Sequence, residues 1–402
     1  ILLKDLHGFF PGTAARKKPV HKQQGIAQVL LGGACQHEGK SRRRMRGKAF
    51  SHVRCEAELN FYSMRAQVLE NTFGIENIQL REREIPPVLD HEIQIAVKAA
   101  SLNFRDYLMV TGKYNPKLKL PMVPLSDGAG EVVAVGKAVT RFKVGDRVMP
   151  CFSQNWIGKR PLSDDMRKNT LGGPLDGTAR EIMHVPEWAA VEIPAHLSYA
   201  EAATMPCAAL TAWSALVTLN HVQPGEYVVV LGTGGVSIFA LQFAKMMGCK
   251  VIVTSGSDDK LKQAEALGAD YLINYKEKTE WAKEVRKITG MVGADHIIEV
   301  GGAGTLEQSI RAVRMDGVIS LIGILAGSSK ELNLLPILMQ NVRMQGVLVG
   351  GREGFEAMCA AVAAHKLKPA IDETFAFADL QKAIRYLADG KHFGKVVVNV
   401  AD

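Results

Sequence analysis

The residues best placed to do chemistry form one glycine-rich turn. Val228-Val229-Val230-Leu231 is a short apolar run, and Gly232-Thr233-Gly234-Gly235-Val236-Ser237 follows it directly, ahead of a helical stretch through Met247. A strand that turns sharply into a helix presents free backbone amides, and the positive end of the helix dipole, to an anion. Gly232 would make the tight turn and Gly234 would let the backbone approach a pyrophosphate, with Gly235 and Val236 opening the helix. Ser237 stands where a third glycine is usual and is small enough for close helix–strand packing. The chemistry implied is the binding of a dinucleotide.

The end of the next strand bears on which dinucleotide. A carboxylate there would hold a ribose 2′-hydroxyl, as NAD sites generally do. This chain has Thr254-Ser255-Gly256-Ser257, with Ser255 in the acid's place and Lys260 shortly after. A hydroxyl with a cation nearby suits a 2′-phosphate, so NADPH is expected ahead of NADH. Lys260 read as a solvated first-turn lysine leaves that choice open.

Those residues need a parallel sheet to hold them, and the sequence carries its pattern. Between about 225 and 349, apolar runs recur at Val228–Leu231, Val251–Val253, Tyr271–Ile273, Ile297–Val300 and Val318–Ile322. Helical stretches such as Lys260–Leu267 and Trp281–Ile288 separate them. This alternation predicts an α/β, doubly wound parallel sheet covered on both faces. From 64 to about 190 the pattern is β-rich. Met64–Val68 opens it, Ile93, Ile95, Val97 and Ala99 alternate with polar neighbours, and Gly130–Gly136 and Gly145–Val148 read as strands between glycine turns. Residues 151–180 read as a long polar loop able to cover a site. The tail from 350 holds a helix near Leu380–Ala388 and a strand at Val396–Val400.

Composition narrows the class. With 402 residues and 47% hydrophobic content, the chain is long enough for two to three domains with real cores. The net charge of +8 lies wholly in residues 1–63, which hold 12 Lys/Arg and 4 Asp/Glu; the remainder is neutral. A nucleic-acid partner for the main body is therefore not expected. The extension itself reads as an unstructured solvated segment, whether native, a targeting segment, a nucleic-acid-binding arm or joined upstream sequence. Six cysteines without a C-x-x-C pair argue for free thiols in a reducing, cytoplasmic setting. Two uncharged windows, Ala202–Asn220 and Tyr227–Ala244, carry too many polar residues or glycines for a membrane span.

A family resemblance follows from motifs in order. Gly128-Ala129-Gly130-Glu131-Val132-Val133-Ala134-Val135-Gly136, then Phe142-Lys143-Val144-Gly145-Asp146-Arg147-Val148, then the nucleotide-binding core resemble the medium-chain dehydrogenase/reductase superfamily over about 64–402. The resemblance implies a GroES-like catalytic domain, 64–200 and 350–402, and a Rossmann domain, 201–349, with the active site in the cleft between. Zinc alcohol dehydrogenases of that superfamily bind metal through a Cys, a Gly-His-Glu motif and a second Cys. Here Asn103 stands at the first position and Leu125-Ser126-Asp127 at the second, while Cys207 remains at the third. The four-cysteine structural lobe is reduced to Cys151. One thiol and one carboxylate do not make the usual three-ligand site, so no metal is expected.

Without a Lewis acid to stabilise an alkoxide, hydride transfer to a quinone or an α,β-unsaturated carbonyl is the easier task. Asn103, Asp106 and Gly112-Lys113-Tyr114 resemble the zinc-free quinone oxidoreductase and enoyl reductase branch. That likeness implies Tyr114 as hydrogen-bond or proton donor, Asn103 as a polar substrate anchor and Asp106 as organiser of the loop. A packed rim aromatic and ordinary turn hydrogen bonds are the plainer readings. The resemblance also implies Thr211 near the nicotinamide, Tyr275 near the adenosine phosphate, and Val300, Gly301, Gly323 and Ile324 along the carboxyl edge of the sheet. Gly350-Gly351-Arg352 and Gly394-Lys395 are weaker carry-overs, Lys395 serving equally as a solvated strand-edge residue. Cys207 reads as a small hydrophobe near the cofactor. A homodimer through the sheet edge near Arg343–Val349 comes from the same source. Two other readings stay open: an NAD(P)-dependent alcohol dehydrogenase with Asp127 and Cys207 helping to hold a metal, and a cofactor-binding protein of little turnover.

Overall fold

The computed structural model describes residues 63–158, 163–328 and 331–401. The basic extension, Ser63 apart, lies outside the described residues. Six parallel strands form one sheet in the order Tyr271–Asn274, Lys250–Ser255, Tyr227–Leu231, Ala294–Glu299, Val313–Leu321 and Arg343–Gly346. The chain steps outward from Tyr227–Leu231 in one direction, then returns and steps outward in the other. The crevice at such a switch point is where open parallel sheets bind ligands. Within Tyr227–Leu231 the pleat divides the apolar run between two cores. Val228 and Val230 join one with helix Gly235–Met246, and Val229 and Leu231 join another with helix Trp281–Ile288. Burial on both faces is why this strand reads as continuous rather than alternating.

The second large sheet has the order Ile371–Ala376, Lys395–Asn399, Glu92–Leu102, Asp127–Val135, Arg147–Pro150, Ala190–Glu192, with Ile182–Pro186 also on Glu92–Leu102. Its first pair is parallel and the others antiparallel. The strand expected at Gly130–Gly136 starts three residues earlier, at Asp127. Gly130 sits inside it because a Cβ there would lie 2.2 Å from the carbonyl oxygen of Ala96. It is a close-packing glycine rather than a turn.

Residues 151–180 depart from a plain polar loop. Helix Asp164–Lys168 interrupts the segment, capped by Ser163, and Phe152, Ser153, Gln154, Leu171, Thr178 and Ala179 are buried. The uncharged window 202–220 is an irregular helix. After Tyr199–Ala203 it widens to π-type turns at Met205–Ala209 and Ser214–Thr218, on either side of Leu210–Trp213. Such widenings accompany functional sites in helices. Among the described residues, no helix is long and apolar enough to cross a membrane.

Candidate active site

The glycine turn sits at the carboxyl end of Tyr227–Leu231, where the strand order reverses. Gly232 has φ +73°, a left-handed conformation that favours glycine, and a Cβ there would meet no atom within 4 Å. The Cβ position of Gly234 is bordered only by His392 Nε2, at 4.0 Å. Space is thus left open in front of both glycines. Gly234 caps helix Gly235–Met246 through its backbone, without a side-chain hydrogen bond, so the first-turn amides stay available. Ser237 is buried and its hydroxyl donates to Leu231 O at 2.7 Å. The hydroxyl thereby ties the helix to its own strand. Val236 is half-buried against the same core.

Ser255 ends its strand buried, its hydroxyl accepting from the Ser257 amide at 3.3 Å. The Lys260 ammonium is not aimed freely at a ribose. It donates to the carbonyls of Gly390 and His392, at 2.8 and 2.9 Å. The cation beside the strand end is instead Lys276, which the sequence reading passed over. A Cβ on Gly256 would lie 2.9 Å from both Lys276 Cε and the Tyr275 hydroxyl. On strand Ala294–Glu299, which lies on the other side of Tyr227–Leu231, the buried Glu299 carboxylate accepts from the amides of Gly301 and Gly302 and from the hydroxyls of Thr305 and Ser309. It fixes the turn after Val300. A Cβ on Gly323 would meet Val300 O at 2.5 Å, so these two ends pack directly, while Ile324 is exposed. The Thr211 hydroxyl donates to the Cys207 carbonyl at 2.7 Å, inside the irregular helix.

The polar residues around the start of helix Phe104–Val110 form one buried network. Asn103 caps helix Phe104–Val110, and its amide N–H donates to Asp106 Oδ2 at 2.8 Å. Ser126 donates to Asp106 Oδ1 at 2.8 Å. Asp106 thereby holds the helix start and the residue before Asp127. The Asn103 side chain, by contrast, is spent internally. Its Oδ1 accepts from Lys395 Nζ at 2.6 Å, and its Nδ2 donates to Asp127 Oδ2 at 2.8 Å and Ser126 Oγ at 3.3 Å. A direct substrate anchor at Asn103 does not fit this arrangement.

Lys395 is buried, not a solvated strand edge. Its ammonium also donates to Leu102 O at 2.7 Å and lies 3.7 Å from Asp127 Oδ2. Burial pushes the Asp127 carboxyl up to about 6, against the pull of Lys395 and Asn103, and its Oδ1 has no hydrogen-bond partner. Burial raises Asp106 as well, with Arg105 opposing. Burial, reinforced by the charge of Asp127, pushes the Cys207 thiol far above the usual range. A thiolate is not favoured there.

Tyr114 is half-exposed at the rim, and the Arg105 guanidinium stacks over its ring at 5.4 Å and over Phe152 at 4.7 Å. Arg105 also donates to Leu171 O and Gly173 O, at 3.0 and 3.2 Å. It fastens the 151–180 segment to the helix bearing Asp106. Arg105 lies inside the Asn103–Asp106 motif, which was the available signal for it; Lys395 was marked only by the weak Gly394-Lys395 carry-over, and nothing local marks Lys276.

The two sheets, one with a glycine turn at its switch point and the other carrying a buried polar network, are those of an oxidoreductase. The chain belongs to the medium-chain dehydrogenase/reductase superfamily. Residues 89–195 match the alcohol dehydrogenase GroES-like domain, and residues 235–364 match the zinc-binding dehydrogenase family. A zinc-type alcohol dehydrogenase-like protein of Schizosaccharomyces pombe is 42% identical over 84% of this chain and 99% of its own length. A crystal structure from Sinorhizobium meliloti 1021, provisionally assigned as an alcohol dehydrogenase, is 43% identical with a TM-score of 0.79, covering 84% of this chain and 98% of that one. The crystal structure of an NAD-dependent alcohol dehydrogenase is 33% identical with a TM-score of 0.77, covering 84% of this chain and 100% of that one.

Proposed function

We propose that the protein reduces a quinone or an α,β-unsaturated carbonyl with hydride from NADPH, without zinc. The observation that carries this reading is the Lys395 ammonium, which is bound to Asn103 and lies beside Asp127, at positions where metal-dependent relatives place ligands. The donor set does not fit zinc. Asn103 Oδ1 is already an acceptor for an ammonium and Ser126 is bonded to Asp106, which leaves only Asp127 and Cys207 of the usual positions.

When bound, the nicotinamide supplies a hydride equivalent. The chain's own part is to cradle the pyrophosphate at Gly232–Val236 and to hold the acceptor against Tyr114. As the acceptor's electrons move onto its oxygen, the Tyr114 hydroxyl donates a hydrogen bond and then a proton, balancing the added hydride. Arg105, stacked on that ring, orients it and adds positive charge near the developing oxyanion. The preference for NADPH is supported by Ser255 in place of an acid and by Lys276 with Tyr275 over Gly256. The NAD-dependent crystal relative favours the other cofactor, and the alcohol dehydrogenase names favour the other substrate class. We also infer a homodimer through the edge strand Arg343–Gly346.

Metal content and nicotinamide absorbance, with NADPH and NADH against a quinone, an enone and primary alcohols, test the reading. Turnover of the quinone or enone by metal-free protein is expected, with Tyr114→Phe lowering kcat by about a hundredfold or more. Stoichiometric zinc with alcohol turnover would sink it. Tight NADPH binding without turnover of any acceptor would mark a cofactor-binding protein.

A further inference from the structure

We infer that Lys395 is a positioning residue that couples the glycine turn to the acceptor side of the crevice, and that Gly235 is glycine to leave room for its side chain. The backbone before it is pinned to the turn: Gly394 N donates to Thr233 O at 2.9 Å, and Gly394 pairs with Gly234 as an isolated parallel bridge. The stem then runs against the start of the cofactor helix. A Cβ on Gly235 would lie 2.7 Å from Lys395 Cδ, 3.6 Å from its Cγ and 3.3 Å from the Cβ of Ala208. The ammonium emerges beyond that gap onto Leu102 O, Asn103 Oδ1 and the neighbourhood of Asp127. One side chain thus spans from the pyrophosphate cradle to the polar network that seats Asp106 and the helix leading to Tyr114.

The sequence around Gly235 acquires a second meaning. In a glycine turn a small residue normally serves close approach of a phosphate or of a strand. Here a methyl group would collide first with an aliphatic stem whose charged end is held by two short hydrogen bonds. A shift of the helix start on cofactor binding would press on the same stem. The ammonium supplies charge to Asp127 and fixes which end of the Asn103 amide faces it. Removing the charge leaves Asn103 Oδ1 without its donor and Asp127 without its cation, both in a buried place where such losses are expensive.

This inference rests on reading the glycine turn as the cofactor cradle. The test compares wild type, Lys395→Met, Lys395→Arg, Lys395→Ala, Gly235→Ala and the Gly235→Ala/Lys395→Ala double variant, which removes the stem that the new methyl would meet. NADPH affinity is measured by fluorescence, kcat and KM on a quinone or enone by absorbance, and thermal stability by melting. Lys395→Met keeps the stem and should raise the acceptor KM by about tenfold or more while changing the NADPH Kd less than about threefold. Lys395→Arg should recover part of that loss. Gly235→Ala should reproduce the acceptor-side defect only when Lys395 is present, so the two substitutions combine non-additively in both KM and Tm.

Additive effects would overturn the coupling. A weakened NADPH Kd with unchanged acceptor KM would also overturn it, making Lys395 a plain cofactor ligand. If wild type reduces neither acceptor, the functional reading falls. The coupling is then judged on the Tm cycle and on the 15N resonance of the Lys395 ammonium, which should move when NADPH is added and overturns the inference if it stays still.

Discussion

Asp127 is where pH enters the site. Its carboxyl is wholly buried and faces one ammonium, and burial holds it at about 6, roughly two units above the ordinary range. At neutral pH it is ionised, serving as the acceptor for Asn103 and the counter-charge for Lys395. Protonation weakens both contacts, so kcat/KM should fall as pH drops through about 6, and Asp127→Asn should remove that limb. The stability effect has the opposite sign. A folded-state pKa above the unfolded value means the native protein binds the proton more tightly, so acidification from about pH 7.5 to about pH 5 stabilises the fold through this group. The Tm advantage of wild type over Asp127→Asn should therefore grow over that interval, and an advantage that shrank would contradict the burial-driven shift.

At the scale of elements, the glycine turn separates conformational from steric need. Gly232 has a positive φ and open space beyond it, whereas Gly235 is crowded by Lys395. Gly232→Ala should cost only the left-handed backbone penalty, about 1–2 kcal/mol in a melt. Its new methyl would face the cradle and weaken NADPH binding by about tenfold. A melting shift without any loss of affinity would mean the turn does not face the dinucleotide. This part of the molecule was legible in the sequence because strand, turn and helix are contiguous there. Val228–Leu231 announced itself through burial on both faces, and helices Trp281–Ile288 and Leu380–Ala388 through their periodicity. The polar network was only half legible. Asn103 and Asp106 belong to one local capping arrangement, but the lysine that occupies Asn103 is 292 residues away. A lysine at the start of a terminal strand looks solvated until the partner strand Glu92–Leu102 closes over it. The polar look of 151–180 misled for a related reason, since its hydroxyls and amides satisfy backbone groups inside the fold, as Ser153 does with Met166 O and Thr178 with Asp127 O.

Across the whole molecule, exposed apolar surface gathers on one edge of the parallel sheet. Leu334, Leu335, Leu338 and Met339 are all strongly exposed, on or beside a short helix without a buried residue, next to the edge strand Arg343–Gly346. Unpaired backbone and apolar side chains side by side are poorly tolerated in water. The inferred homodimer would cover both. Leu338→Glu with Met339→Lys should convert a dimer to a monomer in light scattering; a wild-type monomer, or a dimer untouched by the pair, would remove this edge from consideration.

The bridge between Gly234 and Gly394 has a mechanical consequence. Two-lobed enzymes commonly open and shut around their ligands, and a hinge is the place that moves least. On the proposed reading of the glycine turn as the cofactor cradle, its backbone tie to Gly394, just ahead of strand Lys395–Asn399, would make that point a pivot. Breathing of the two lobes would be felt at the far rim, at Tyr114 and the 151–180 segment. The bound dinucleotide would ride on the axle, its phosphates almost stationary while the doors on either side swing.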